Sequence, residues 1–178
     1  DYQRYVSLNA WITPPLPLPA GWQLSGLTGV SHVVYPSRAY FDSSLWEARG
    51  VLTYQQGPLW LQGSGGYGVD IGNGARAGGN RHGLFASLSA RAALGGGVLG
   101  EVGWLYQNWA GARSYSPGLI DVARRQHTQL LRAMVSLPLS KEHGLFLEYR
   151  TVRNRENISL FAYQSRSVQL GWQWQFGR

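Results

Sequence analysis

Arg166-Ser167-Val168-Gln169-Leu170-Gly171-Trp172-Gln173-Trp174-Gln175-Phe176-Gly177-Arg178 is the stretch whose pattern decides the fold. Val168, Leu170, Trp172, Trp174 and Phe176 share one parity, and Ser167, Gln169, Gly171, Gln173 and Gln175 share the other. Side chains on a strand alternate between faces, so the segment reads as a strand with an unbroken apolar stripe backed by an uncharged polar one. A strand of a water-soluble sandwich can alternate as well. Here the apolar stripe carries three large aromatics and the last of them lies almost at the terminus. Together these predict the closing strand of a barrel that has lipid on one side and a polar lumen on the other.

The rest of the composition agrees. A chain of 178 residues suits one domain. It holds 24 Gly, 8 Trp and 10 Tyr, and only 14% of its residues are charged, against about 25% in an ordinary water-exposed domain. Glycine serves turns, while Tyr and Trp suit strands and membrane interfaces. No run approaches the ~20 consecutive apolar residues of a membrane-spanning helix, so a membrane crossing would have to use strands. The absence of cysteine excludes disulfides, zinc-thiolate sites and thiol catalysis. The chain opens at Asp1 without a basic or apolar leader, which we read as a segment whose signal lies further upstream.

Basic residues number 16 against 9 acidic ones, and Lys141 is the only lysine. Arginine forms planar bidentate contacts with phosphate and carboxylate, which suits a lumen or rim that meets acidic sugars or the phosphates of lipopolysaccharide. The arginines are dispersed and no nucleic-acid motif accompanies them, so no nucleic-acid partner is expected.

Alternation predicts nine strands, at about 4–13, 22–34, 45–56, 59–70, 83–94, 98–109, 126–137, 144–154 and 166–176. The connections alternate in length: 13–21, 55–58, 95–97 and 138–143 are short, and 35–44, 70–82, 110–125 and 154–165 are long. Short turns on one side and long loops on the other are expected of an outer-membrane barrel and not of a Greek-key sandwich. Nine is an odd count, whereas single-chain bacterial barrels have an even one. Leu-Pro enters the turn after 4–13 and again after 126–137, which supports the first strand. The expected fold is therefore all-β, an antiparallel transmembrane meander barrel forming part of a larger barrel, with a complete eight-stranded barrel as the alternative.

Arg124-Arg125-Gln126, Glu148-Tyr149-Arg150, the run from Asn157-Ile158-Ser159 to Tyr163-Gln164-Ser165-Arg166 and the final Val168 to Phe176 strand also carry a resemblance. This portion, 125–176, resembles the endings of exopolysaccharide export porins and of surface lipoprotein assembly modulators. Two residues follow Phe176, whereas those endings usually stop on the aromatic. The resemblance implies a Gram-negative outer-membrane protein that is not an enzyme and needs no cofactor. Its implied partners are outer-membrane lipid and lipopolysaccharide, a polysaccharide substrate and envelope secretion components.

The four histidines do not assemble a catalytic group, because neighbours on a strand such as Ser31 and His32 point to opposite faces. A charge facing lipid in mid-strand costs ~2–4 kcal/mol, so Glu47, Arg49, Arg91, Glu101, Arg132, Glu148 and Arg150 are expected inside as a lumen network, either pairing to stiffen the wall or lining a conduit. Trp46, Trp104, Trp172, Trp174 and Phe176 are expected against the membrane, and Trp60 and Trp109 are candidates for stacking on a glycan. The Gly-rich run 63–68 reads as a strand kink and 72–79 as a mobile surface loop. No metal site is expected.

Overall fold

The computed structural model describes residues 6–12, 14–35, 39–140 and 142–174, with side chains from residue 14 onward. The alternating segments fold as β1 (Val6–Ile12), β2 (Pro15–Pro17), β3 (Trp22–Val34), β4 (Ser43–Gln56), β5 (Leu59–Gly72), β6 (Arg81–Gly95), β7 (Val98–Ser116), β8 (Ile120–Pro138), β9 (His143–Glu156) and β10 (Tyr163–Trp174). Nine form an antiparallel meander in the order β1-β3-β4-β5-β6-β7-β8-β9-β10, and the three-residue β2 lies on the start of β3. All nine expected strands are present. β1 pairs only with β3 and β10 only with β9, so among the described residues the sheet does not close on itself. Phe176 lies outside the described residues.

Register shows which side chains share a face. Glu47, Arg49, Val51 and Thr53 on β4 stand opposite Gly68, Gly66, Ser64 and Gln62 on β5. These continue into Gly83, Phe85, Ser87 and Ser89 on β6, and into Trp109, Gln107, Leu105 and Gly103 on β7. Glu47, Gly68, Gly83, Phe85 and Trp109 are buried. The Arg49 guanidinium, on β4, sits 4.6 Å from the ring centre of Phe85 on β6. Contact between side chains two strands apart requires the sheet to curl toward this face, which is therefore the inner one.

The outer face is apolar. Trp46, Leu84, Leu88, Leu147, Leu170 and Trp172 are each more than half exposed. Among the described residues only Phe85, Trp109 and Ile158 are buried hydrophobics, whereas Glu47, Asp70 and Asn154 are buried polar ones. A water-soluble domain distributes these types the other way round.

Two expectations about the chain's course are corrected. The Gly-rich 63–68 segment is not a kink, because β5 pairs with both neighbours through it without a register shift. Its inward Gly68 instead makes room for a ring, as Gly83 does on β6. A Cβ on Gly68 would lie 2.8 Å from the Phe85 ring, and one on Gly83 would lie 2.8 Å from the Trp109 ring. Likewise 110–125 is not a long loop. β7 and β8 run on past β6 and β9 as a ribbon, leaving only 117–119 as a turn. Strand alternation there is broken by irregular pairing after Ala110, which hid it.

The remaining long connections are stitched to that ribbon. The Gly78 amide donates to the Tyr115 carbonyl at 3.1 Å and the Ala112 amide to the Asn80 carbonyl at 2.8 Å. Arg113 donates to the Gly74 carbonyl at 2.7 Å, so the 73–80 segment is held down rather than loose. On the other flank the Asn157 amide side chain donates to the Ala123 carbonyl at 2.8 Å. At the opposite end, Gly95, Gly96 and Gly97 turn the chain with φ of 98°, 56° and 78°, a region that disfavours any residue with a Cβ.

Candidate functional site

The inner face divides into two charged levels with a packed layer between them. At the short-turn end, β5, β6, β7, β8 and β9 contribute an open cluster. Arg91 Nε donates to Glu101 at 2.8 Å, and Arg132 Nε donates to Glu148 at 2.7 Å while its Nη1 stands 3.8 Å from Glu101. The four charges thus form one chain across four strands. Arg91, Glu101 and Arg132 border a cavity of about 610 Å³ lined also by Gln55, Trp60, Ser89 and Gly103. Arg91 and Arg132 keep about half their side-chain surface exposed, at 56% and 42%, so both remain able to meet an anionic solute. Trp60 projects inward because it shares its register row with Arg91 and Gln55.

Above this cavity the interior is filled. Ser64 and Ser87 are hydrogen-bonded across β5 and β6 at 2.7 Å. Glu47 accepts from Arg49 at 2.5 Å. Phe85 meets Trp109 edge to face at 5.1 Å.

At the loop end lies a second charged cluster. The buried Asp70 accepts from Arg81 Nε at 2.7 Å and from Arg76 Nη2 at 2.9 Å, and the Arg81 guanidinium lies 4.7 Å over the Trp109 ring. Arg76 belongs to the 73–80 connection, so this carboxylate ties that loop to the wall. Beside it Arg124 forms a bidentate pair with Glu156, both bonds 2.6 Å long. Arg124 also stacks 4.3 Å from the centre of Phe161. Asn154 donates to both Glu156 and the Phe161 carbonyl, at 2.8 and 2.9 Å, and accepts from Thr128 at 2.7 Å. Glu156, both of whose oxygens are met by guanidinium or amide donors, tolerates burial that would otherwise be costly, whereas both bonds to Asp70 fall on Oδ2 and its buried Oδ1 has no hydrogen-bond partner among the described residues.

The lumen residues expected from sequence separate into three groups. Arg91, Glu101, Arg132 and Glu148 come together as one cluster, and Glu47 with Arg49 forms a separate pair further up. Arg150 is on the inner face but stands directly opposite Arg132 and is joined to no acid among the described residues. Of the two stacking candidates, Trp60 lines the open cavity, whereas Trp109 is only 7% exposed. Covered by Arg81 and Phe85, Trp109 has no open face for a sugar and is part of the packed layer. Trp46, Trp172 and Trp174 are exposed on the outer face. Trp104 joins them there, stacked on Tyr106 at 6.1 Å.

Sequence reasoning misses Arg76, Arg81, Arg124 and Glu156 because the expected strand limits stop two or more residues short of them, and it misses Asp70, the last residue of the expected 59–70 strand, because its partners lie beyond those limits. The signal was present. Asp70 continues the even parity of Trp60, Gln62 and Ser64, and Arg81 faces it across the hairpin. Comparison of the chain with protein-family models, curated protein sequences and solved structures finds no match.

Proposed function

We propose that this chain is a membrane-spanning β-barrel wall of a Gram-negative outer membrane, acting as a conduit or translocation scaffold in polysaccharide export. The observation that carries the membrane reading is charge segregation. Across β3 to β10, Glu47, Asp70, Glu101, Glu148 and Glu156 all share the inner face, and the outer faces of β3 to β7 between Trp22 and Ala110 hold no Asp, Glu, Lys or Arg. Exposed apolar area of this extent is rare on a water-facing monomer. Strand length is sufficient too, since a tilted strand crosses a bilayer in about 9–11 residues and every strand from β3 to β10 has at least 12.

The conduit reading is supported by the open cavity with its exposed arginines and inward Trp60, and by a sheet whose end strands leave room for further strands. The alternative, a surface lipoprotein assembly modulator, rests on the same features of this chain. The packed layer and the loop-end ion pairs favour a second reading, a structural anchor with a filled interior.

The test uses the full-length protein expressed in a Gram-negative host, with membranes washed in alkaline carbonate and the purified protein then placed in planar bilayers. Retention after washing with stepwise conductance supports a conduit. Retention without conductance favours the anchor, and recovery in the wash refutes the membrane reading.

A further inference from the structure

We propose that the outer face of β8, β9 and β10, at the loop end, binds the phosphates of a lipopolysaccharide-type glycolipid of the outer leaflet. The inference rests on the membrane reading above and adds a ligand and a place.

Pairing puts Arg155 opposite His127, and Arg153 between Gln129 and Gln164. Arg125 lies one outward position further along β8, opposite Ala110, and Arg166 stands beside Thr151 on β10. These four arginines are the only charged residues on the outer face of the described strands between Trp22 and Trp174 that lie below the projecting ribbon. Their guanidiniums meet no carboxylate of the described chain, whereas six of the described arginines, Arg49, Arg76, Arg81, Arg91, Arg124 and Arg132, are ion-paired on the inner side. Like charges on neighbouring strand positions repel. No carboxylate among the described residues supplies the compensating anion, which leaves the cluster open to an external one.

Depth and shape narrow its chemistry. The next outward row contains Trp104, Leu131 and Thr151 and ends on Arg166, and the rows below it hold Val102, Ala133, Tyr149 and Val168, then Gly100, Val135, Leu147 and Leu170. Arg125, Arg153 and Arg155 therefore sit above an apolar band and Arg166 on its upper edge, at the level of headgroups. Tyr106, His127, Gln129, Arg153 and Arg155 line a groove of about 270 Å³, in which the Tyr106 hydroxyl and His127 Nδ1 stand 3.3 Å apart. Guanidinium forks flanked by amide, hydroxyl and imidazole groups match phosphate oxygens and adjoining sugar hydroxyls. β3 to β6 carry no such arginines, so the cluster marks one lipid position rather than a uniform belt.

The test uses full-length protein in non-ionic detergent, offered lipopolysaccharide, the same lipopolysaccharide after phosphatase treatment, phosphatidylglycerol, or inorganic phosphate. Carbonate-resistant membrane retention is measured in parallel for every variant. Lipopolysaccharide is expected to bind in a phosphate-dependent way. Arg153→Gln with Arg155→Gln should weaken binding about 30-fold without changing membrane retention, and the corresponding lysine pair should recover part of the loss. Equal binding of the phosphatase-treated form, equal binding of phosphatidylglycerol, or displacement by inorganic phosphate at matching concentration overturns the proposal. A protein that stays in the membrane but shows no phosphate-dependent binding overturns this inference alone, whereas one that washes out overturns the membrane reading and this site with it.

Discussion

Arg124 and Glu156 meet through two 2.6 Å hydrogen bonds that join the ribbon formed by β7 and β8 to the end of β9. The Glu156 side chain is fully enclosed. Removing one partner of a buried pair typically costs about 3–5 kcal/mol. Because Arg124 keeps some solvent contact, Glu156→Gln is expected to cost less, about 2 kcal/mol. The midpoint of heat-induced unfolding on semi-native gels measures it, and an unchanged midpoint would mean that the ribbon is not held by this pair.

Space around an inward and an outward glycine predicts a contrast between two alanine variants. Gly83→Ala drives a methyl against the Asn108 carbonyl oxygen and the Trp109 ring, an overpacking that costs about 1–3 kcal/mol. Gly50→Ala meets nothing within 4 Å and should leave stability nearly unchanged. Urea unfolding of both in the same detergent compares them directly.

Charge on the outer face gives a depth scale. Leu147→Arg, among Val135 and Leu170, should cost about 2–4 kcal/mol in a bilayer, while Gln129→Arg, beside the arginine groove, should cost about 0–1 kcal/mol. Folding yields into lipid vesicles distinguish the positions. Equal tolerance would count against lipid contact with this face.

Trp60 and Trp109 should separate binding from stability. Trp60→Ala is expected to leave the fold intact and to reduce retention of an acidic polysaccharide on the immobilised protein, because its ring borders the open cavity. Trp109→Ala should instead destabilise by about 3–5 kcal/mol, as large aromatic truncations in packed interiors do. If Trp60→Ala retains polysaccharide fully, that ring is not a stacking surface.

Alternation made the nine strands and their two faces legible, since the parity of residues such as Trp46 against Glu47 follows directly from strand geometry. It also placed Arg91, Glu101, Arg132 and Glu148 inside. Pairing within that face was less accessible: Glu148 bonds Arg132 on the neighbouring strand rather than Arg150, because the choice depends on side-chain reach and not on parity. The loop-end cluster escaped because strand ends are set by tertiary hydrogen bonds, such as those binding 73–80 to the ribbon. Trp60 and Trp109 look alike in sequence, and only the rings and guanidinium stacked around Trp109 distinguish a wedge from a binding surface.

The matching of inward rings to inward glycines has a consequence for how the strands find one another. Parity alone rejects a slip of one residue, because every side chain would change face, but a slip of two preserves parity and escapes that check. Trp109 stands opposite Gly83 and Phe146 opposite Gly171. A two-residue slip would put Arg81 or Phe85 against Trp109, and Gln169 or Gln173 against Phe146. The bare glycines thus act as notches that admit a ring at one setting only, a vernier that lets the wall proofread its own alignment as it assembles.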